Sequence, residues 1–189
     1  ANASSPNDSG SFSCSNSGLD TSSGLDLTQL SLKLATHSDA NRVSFDWQFL
    51  SEEYPEYVGS SFNDAFLCEL GATTYTLSGN AVTADNNKCK DAAGNLVTIN
   101  SSGSNAMSEI DSIGTTYDGA TGQITTRIPY SDTDSSVTLI FSVFDQGDSI
   151  YDTTVFLDNF EYELGSSDDT VTTTQPGEIN GRVWNDTDA

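Results

Sequence analysis

Arg42-Val-Ser-Phe-Asp-Trp-Gln-Phe-Leu-Ser51 is the stretch from which the fold can be read. Val43, Phe45, Trp47 and Phe49 fall on one face of an extended chain, and Ser44, Asp46 and Gln48 on the other. Strict alternation of this kind is the period of a strand with one face against a core. On its N-terminal side, residues 25–34 (Leu-Asp-Leu-Thr-Gln-Leu-Ser-Leu-Lys-Leu) are read as alternating apolar and polar, the period of a half-buried strand. On its C-terminal side, 62–70, 73–77, 123–130 and 153–164 read as further strands, and Asp91-Ala-Ala-Gly94 as a hairpin tip. Residues 137–144 are almost continuously apolar, which predicts a central strand covered on both faces. One short helix is expected over 104–113, capped by Ser104 and presenting Met107 and Ile110 on one side. Short strands in close succession without a βαβ rhythm predict an all-β fold, an antiparallel β-sandwich or jelly roll with at most one short helix.

Composition narrows the function. The 189 residues carry 6 Lys+Arg against 28 Asp+Glu, a formal charge of −22. Such a surface cannot neutralise phosphates, which excludes non-specific nucleic-acid binding and disfavours docking on an anionic membrane. No apolar run approaches the roughly 20 residues of a membrane-spanning helix, so direct membrane insertion is not expected. Charge of one sign is tolerated in high salt, which screens it, or where divalent cations are ligated by the carboxylates.

The chain divides into a polar arm over 1–24, a β-sandwich domain over 25–165, a Thr-rich linker over 166–177 and a last segment, 178–189. That segment reads as the first strand of a following domain or as a strand donated to a neighbour, and the chain as a fragment or a mature form. Cys68 and Cys89 lie 21 positions apart around a strand and a turn and are read as a disulfide, two reduced thiols being the alternative. Cys14 is left over, free or paired outside the chain.

Two acidic loops carry the possible chemistry. Ser51-Glu-Glu-Tyr-Pro-Glu-Tyr-Val-Gly-Ser-Ser-Phe-Asn-Asp-Ala-Phe66 places Glu52, Glu53, Asn63 and Asp64 at a strand end and the loop after it. Asp145-Gln-Gly-Asp-Ser-Ile-Tyr-Asp152 places Asp145, Asp148 and Asp152 in a tight loop between two core strands, with Gly147 permitting the turn. Carboxylates crowded beside a core repel one another unless a cation neutralises them, and calcium takes six to eight oxygen ligands of this kind. These seven residues are therefore the candidate calcium ligands, against a reading in which solvated acidic turns simply end strands. The twelve-residue EF-hand pattern is absent, and a single His37 without Cys-x-x-Cys disfavours zinc. Tyr54, Tyr57 and Tyr151 accompany the acidic loops and are candidates for a ligand-binding platform or for packing. No nucleophile elbow occurs, and paired carboxylates alone are a thin basis for a carbohydrate-active enzyme, so catalysis is not expected.

At these residues the chain resembles the choice-of-anchor L domain of secreted and surface-attached microbial proteins. The resemblance rests on Ser51-Glu-Glu-Tyr-Pro-Glu-Tyr57 with Phe62-Asn-Asp-Ala-Phe66, on Tyr117-Asp-Gly119, and on the block that runs from Asp145 to Leu157. It departs from the family at Leu67-Cys-Glu-Leu70, where members have an apolar run, and at Thr153, where they have Ser. Ile179-Asn-Gly-Arg-Val-Trp-Asn-Asp-Thr-Asp188 resembles the first strand of B-type domains in serine-aspartate-repeat adhesins, which stack as stalks and often bind calcium. The two resemblances imply an extracellular or cell-surface module of a modular microbial protein, serving adhesion or ligand binding. Its partners would be a glycan, a protein or peptide ligand, or neighbouring copies of itself. The alternative is a structural subunit of a filament or layer assembled by strand addition through the C-terminal tail.

Overall fold

The computed structural model describes residues 24–131, 133–148 and 150–166, together with the backbone of 171–174. The arm with Cys14 and the segment 178–189 lie outside the described residues. In chain order the elements are β1 (Gly24–Ala35), β2 (Arg42–Ser51), β3 (Ala65–Leu70), β4 (Thr76–Ser78), β5 (Ala81–Thr83) and β6 (Val97–Thr98). Then come α1 (Ile99–Asn105), β7 (Met107–Ser108), β8 (Gly119–Thr121), β9 (Ile124–Pro129), β10 (Ser136–Gln146), β11 (Thr153–Glu163) and β12 (Val171–Thr174).

The strands form two antiparallel sheets and a small hairpin. One sheet has the order β1-β10-β3-β6. The other has the order β12-β9-β2-β8-β7, with β11 running along β2 from Thr153 opposite Ser51 to Glu163 opposite Arg42. The sandwich reading is correct, and β2 is its centrepiece. Val43, Phe45, Trp47 and Phe49 are all buried and meet Phe66, Leu139 and Phe141 from the facing sheet. Phe45 stands edge-on to Phe141 at 5.2 Å, and Trp47 lies 5.2 Å from Phe66. The indole Nε1–H of Trp47 donates to Thr126 Oγ1 at 2.8 Å, so the largest core side chain leaves no polar group unpaired.

β10 is the central strand expected from its apolar run, and it serves two cores. Leu139 and Phe141 enter the main core. Phe144 turns to the other face and packs with Leu27, Ala65, Leu67 and Val82, where Tyr75 stacks on it at 5.2 Å. The β4–β5 hairpin covers that outer face.

Two expectations are corrected. The helix is Ile99–Asn105, not 104–113: Thr98 caps it by accepting from Ser101 N, and the chain then leaves the helix to pair Met107–Ser108 with β8. Met107 is buried but Ile110 is 77% exposed, so their spacing marks no helical face. Residues 91–94 form a turn anchored by Asp91, whose Oδ1 accepts from Ala93 N and Asn95 N and whose Oδ2 accepts from Ser102. The flanking strands do not pair with each other, so it is no hairpin tip. Within the segment read as linker, the backbone of Val171–Thr174 pairs with β9.

Cys68 and Cys89 are joined by a disulfide. It ties β3 to the irregular segment that follows the hairpin, where Asn87 Oδ1 also accepts from Cys68 N. A loop of this length predicts a loss of about 3 kcal/mol on reduction. Urea unfolding with and without reductant would show it as a lower midpoint, and coincident curves would mean that the bridge adds nothing.

A candidate carboxylate site where the two acidic loops meet

The β3–β10 register sets Ala65 opposite Phe144, with both side chains in the outer core. One residue further out, Asp64 and Asp145 therefore turn to the inner side, toward the second sheet. Asp64 reaches across. Its Oδ2 accepts from Thr153 Oγ1 at 2.6 Å, and its Oδ1 accepts from Gln146 N at 3.0 Å. Thr153 Oγ1 in turn lies 2.9 Å from Ser51 Oγ, which also accepts from Glu53 N. Backbone bonds complete the seam: Asn63 N to Gln146 O and Glu52 N to Asp152 O, each 3.1 Å. Gly147 makes the approach possible. It has φ of +110°, and a Cβ there would stand 2.8 Å from Ser61 O and 2.9 Å from Phe62 Cδ1.

The loops thus come together as one seam, with Glu52, Glu53, Asn63, Asp64, Asp145, Asp148 and Asp152 along it. Glu53 is only 1% exposed, and its Oε2 has no hydrogen-bond partner. Burial, then the charges of Asp64 and Asp148, push its carboxyl up to about 8. Burial also raises Asp64, against the pull of its bonds to Thr153 and Gln146, and raises Asp145, which feels Asp64, Asp26, Asp152 and Glu53. Asp148 is partly exposed and accepts from Ile150 N.

The other candidates take different places. The side chain of Asn63 braces the loop, donating to Asn80 O at 2.6 Å and accepting from Asn100 N at 2.8 Å. Asp152 and Asp145 line a cavity of about 300 Å³ together with Asp26, Thr28, Tyr117 and Val143. Tyr117 feels the charges of Asp152, Glu52 and Asp145. Tyr54 is a packing residue, its ring against Gly119 where any Cβ would collide with it. Tyr57 and Tyr151 lie 5.4 Å apart, with Phe62 beside Tyr57, and form an aromatic rim next to Glu53 and Asp148.

Sequence reasoning missed Asp26 and Thr153. The signal for Asp26 was present: leucines at 25 and 27 but then at 30, 32 and 34 change parity. That break is the bulge between Leu25 and Thr28, where Asp26 takes φ of +49°.

The donors are hard oxygens, the set that calcium prefers, and a buried carboxylate oxygen without a partner invites a cation. Among the described residues, no three acidic, histidine or cysteine side chains already converge tightly enough to hold a metal. The electrostatics carry a pH prediction for the metal-free protein. A carboxyl with a higher pKa in the folded chain than in the unfolded one keeps its proton more firmly when folded. It therefore stabilises the fold at low pH, and that stabilisation is lost as pH rises through the folded value. In chelator the melting temperature should fall from about pH 5 to about pH 8, and Glu53→Gln should flatten the decline. A profile that rises over this window would contradict the assignment.

No family model, curated protein or solved structure matches the chain.

Proposed function

We propose that this chain is an extracellular, calcium-stabilised β-sandwich module of a microbial surface protein, acting in adhesion or ligand binding and not in catalysis. The observation that carries this reading is Asp64. It belongs to the first acidic loop, bonds Gln146 and Thr153 of the second, and lies beside the unpartnered Glu53 carboxylate. Calcium at this seam would supply the positive charge that the loops lack. Glu53, Asp64, Asp145 and Asp148 would hold it, and the backbone bonds of Asn63 and Glu52 keep the loops in reach of each other. Tyr57 and Tyr151 at the rim give rigid, amphipathic area for a glycan or a peptide, at small entropic cost. The disulfide and the strongly acidic surface are compatible with life outside the cell.

Beads carrying the chain test the reading on a panel of glycans and matrix proteins. Retention is expected in millimolar calcium, with release by chelator and loss in Asp64→Asn. Retention that ignores both calcium and this substitution would overturn it.

The pairing of β12 with β9 favours a second reading, a filament or layer subunit, because the chain after residue 165 adds a strand to a sheet edge. The same addition between copies would link them. Deleting 166–189 separates the two: an adhesion module stays folded and monomeric, whereas a polymer subunit loses assembly.

A further inference from the structure

Long sheet edges invite another strand, and proteins guard them with short strands, charges, prolines or bulges. Among the described residues, all the edges but one are guarded. β6 and β7 are two residues long, β4 and β5 three, and the pairing of β12 covers four. β11 is long, but it carries Asp158, Glu161 and Glu163 and a bulge between Asp158 and Glu161. β1 is the exception. One side of it pairs with β10, residue for residue from Thr28 to Ala35, and the other side pairs with no described strand. That stretch, Thr-Gln-Leu-Ser-Leu-Lys-Leu-Ala, has no proline and a single charge, Lys33, in a chain of formal charge −22. The N–H and C=O groups along its open side call for an extended backbone as the occupant.

The side chains narrow the choice. Leu30 and Leu32 lie opposite Phe141 and Leu139, so the leucine row continues the main core, yet Leu30 is 46% exposed at its margin. Phe160 and Tyr162, each 40% exposed, border the same opening. The ring of Phe160 lies 6.1 Å from that of Phe141, and Tyr162 Oη donates to Ala35 O at 2.7 Å. A partner strand must therefore alternate as β1 does, apolar on the core side and polar on the other, and must bring little negative charge. A second β1 does both. In an antiparallel pair about a two-fold axis each side chain keeps to its own face of the sheet. An axis at Ser31 sets Leu30 opposite Leu32 and Gln29 opposite Lys33, twice over, with no like charges face to face. We propose that the free edge of β1 is a self-recognition surface, through which two copies of the chain join into a dimer with one continuous sheet. This dimer needs neither the calcium site nor the tail.

Sedimentation equilibrium of the full chain tests this, with circular dichroism reporting the fold of each variant. A reversible dimer is expected: monomer at micromolar concentration in low salt, and association toward submillimolar concentration in high sodium chloride, which screens the repulsion between two acidic copies. Leu30→Lys with Ser31→Lys changes two exposed positions and faces lysine with lysine on the axis. It should raise the dissociation constant of the dimer at least tenfold. Phe156→Ser, at an exposed apolar position on β11, and deletion of 166–189 should each leave the association unchanged. Amide hydrogen exchange within 28–34 should slow as the concentration rises. A chain that stays monomeric at the highest concentration in high salt would overturn the proposal. So would a dimer indifferent to the double substitution, or one lost with Phe156 or with the tail.

Discussion

Millimolar calcium is expected to raise the melting temperature of the chelator-treated protein by roughly 12 °C. A ligand that binds only the folded chain, at a concentration about a thousandfold above its Kd, stabilises by about 4 kcal/mol. In a domain of this size each kcal/mol moves the transition by roughly 3 °C. The ion would neutralise Glu53, Asp64 and Asp145, whose carboxyls are all raised, in each case chiefly by burial. Differential scanning calorimetry in calcium and in chelator measures the shift. Asp64→Asn should abolish most of it. Sodium chloride at matched ionic strength should give far less, since it screens long-range repulsion without filling a site. Identical scans with and without calcium would remove the metal from the account.

Trp47→Ala is expected to cost about 4 kcal/mol, enough to leave a marginal domain largely unfolded. Trp47 is 1% exposed and central to the contact between the sheets, against Phe66. Truncation opens a cavity there and strips Thr126 Oγ1 of its indole partner. Trp47→Phe keeps much of the volume and should cost about half as much, which divides the packing loss from the hydrogen bond. Urea denaturation gives both numbers. A cost below about 1 kcal/mol for Trp47→Ala would be incompatible with its place between the sheets.

The fold was legible where one face of a strand met one core. β2 keeps strict alternation over its whole length because its inner face meets a single apolar layer, and its predicted bounds coincide with the observed ones. β10 was legible as central, but its run of apolar residues hid the fact that alternate side chains serve different cores. The helix was misplaced because Thr98 as a cap, followed by Ser, Gly and Asn inside the helix, is a weak local signal. Capping and burial of Ile99 and Ser102 win over poor intrinsic propensity there.

The candidate site was legible as two acidic stretches, because carboxylates next to core strands stand out in any chain. Their union depended on a register that the sequence does not print: Ala65 opposite Phe144 decides that Asp64 and Asp145 face the same way. Asn63 looked like a ligand by residue type, yet its amide is engaged in bracing the loop.

β10 also has a consequence for how such a chain can evolve. Phe141 answers to Phe45 and Phe66, while Phe144, three positions on, answers to Tyr75 and the hairpin. Close packing makes each neighbour sensitive to a change in volume of a single methylene. Divergent copies of this domain should therefore show two interleaved sets of compensating replacements on one strand. Its odd positions would change in step with β2 and its even ones with the hairpin, each set free to drift without the other.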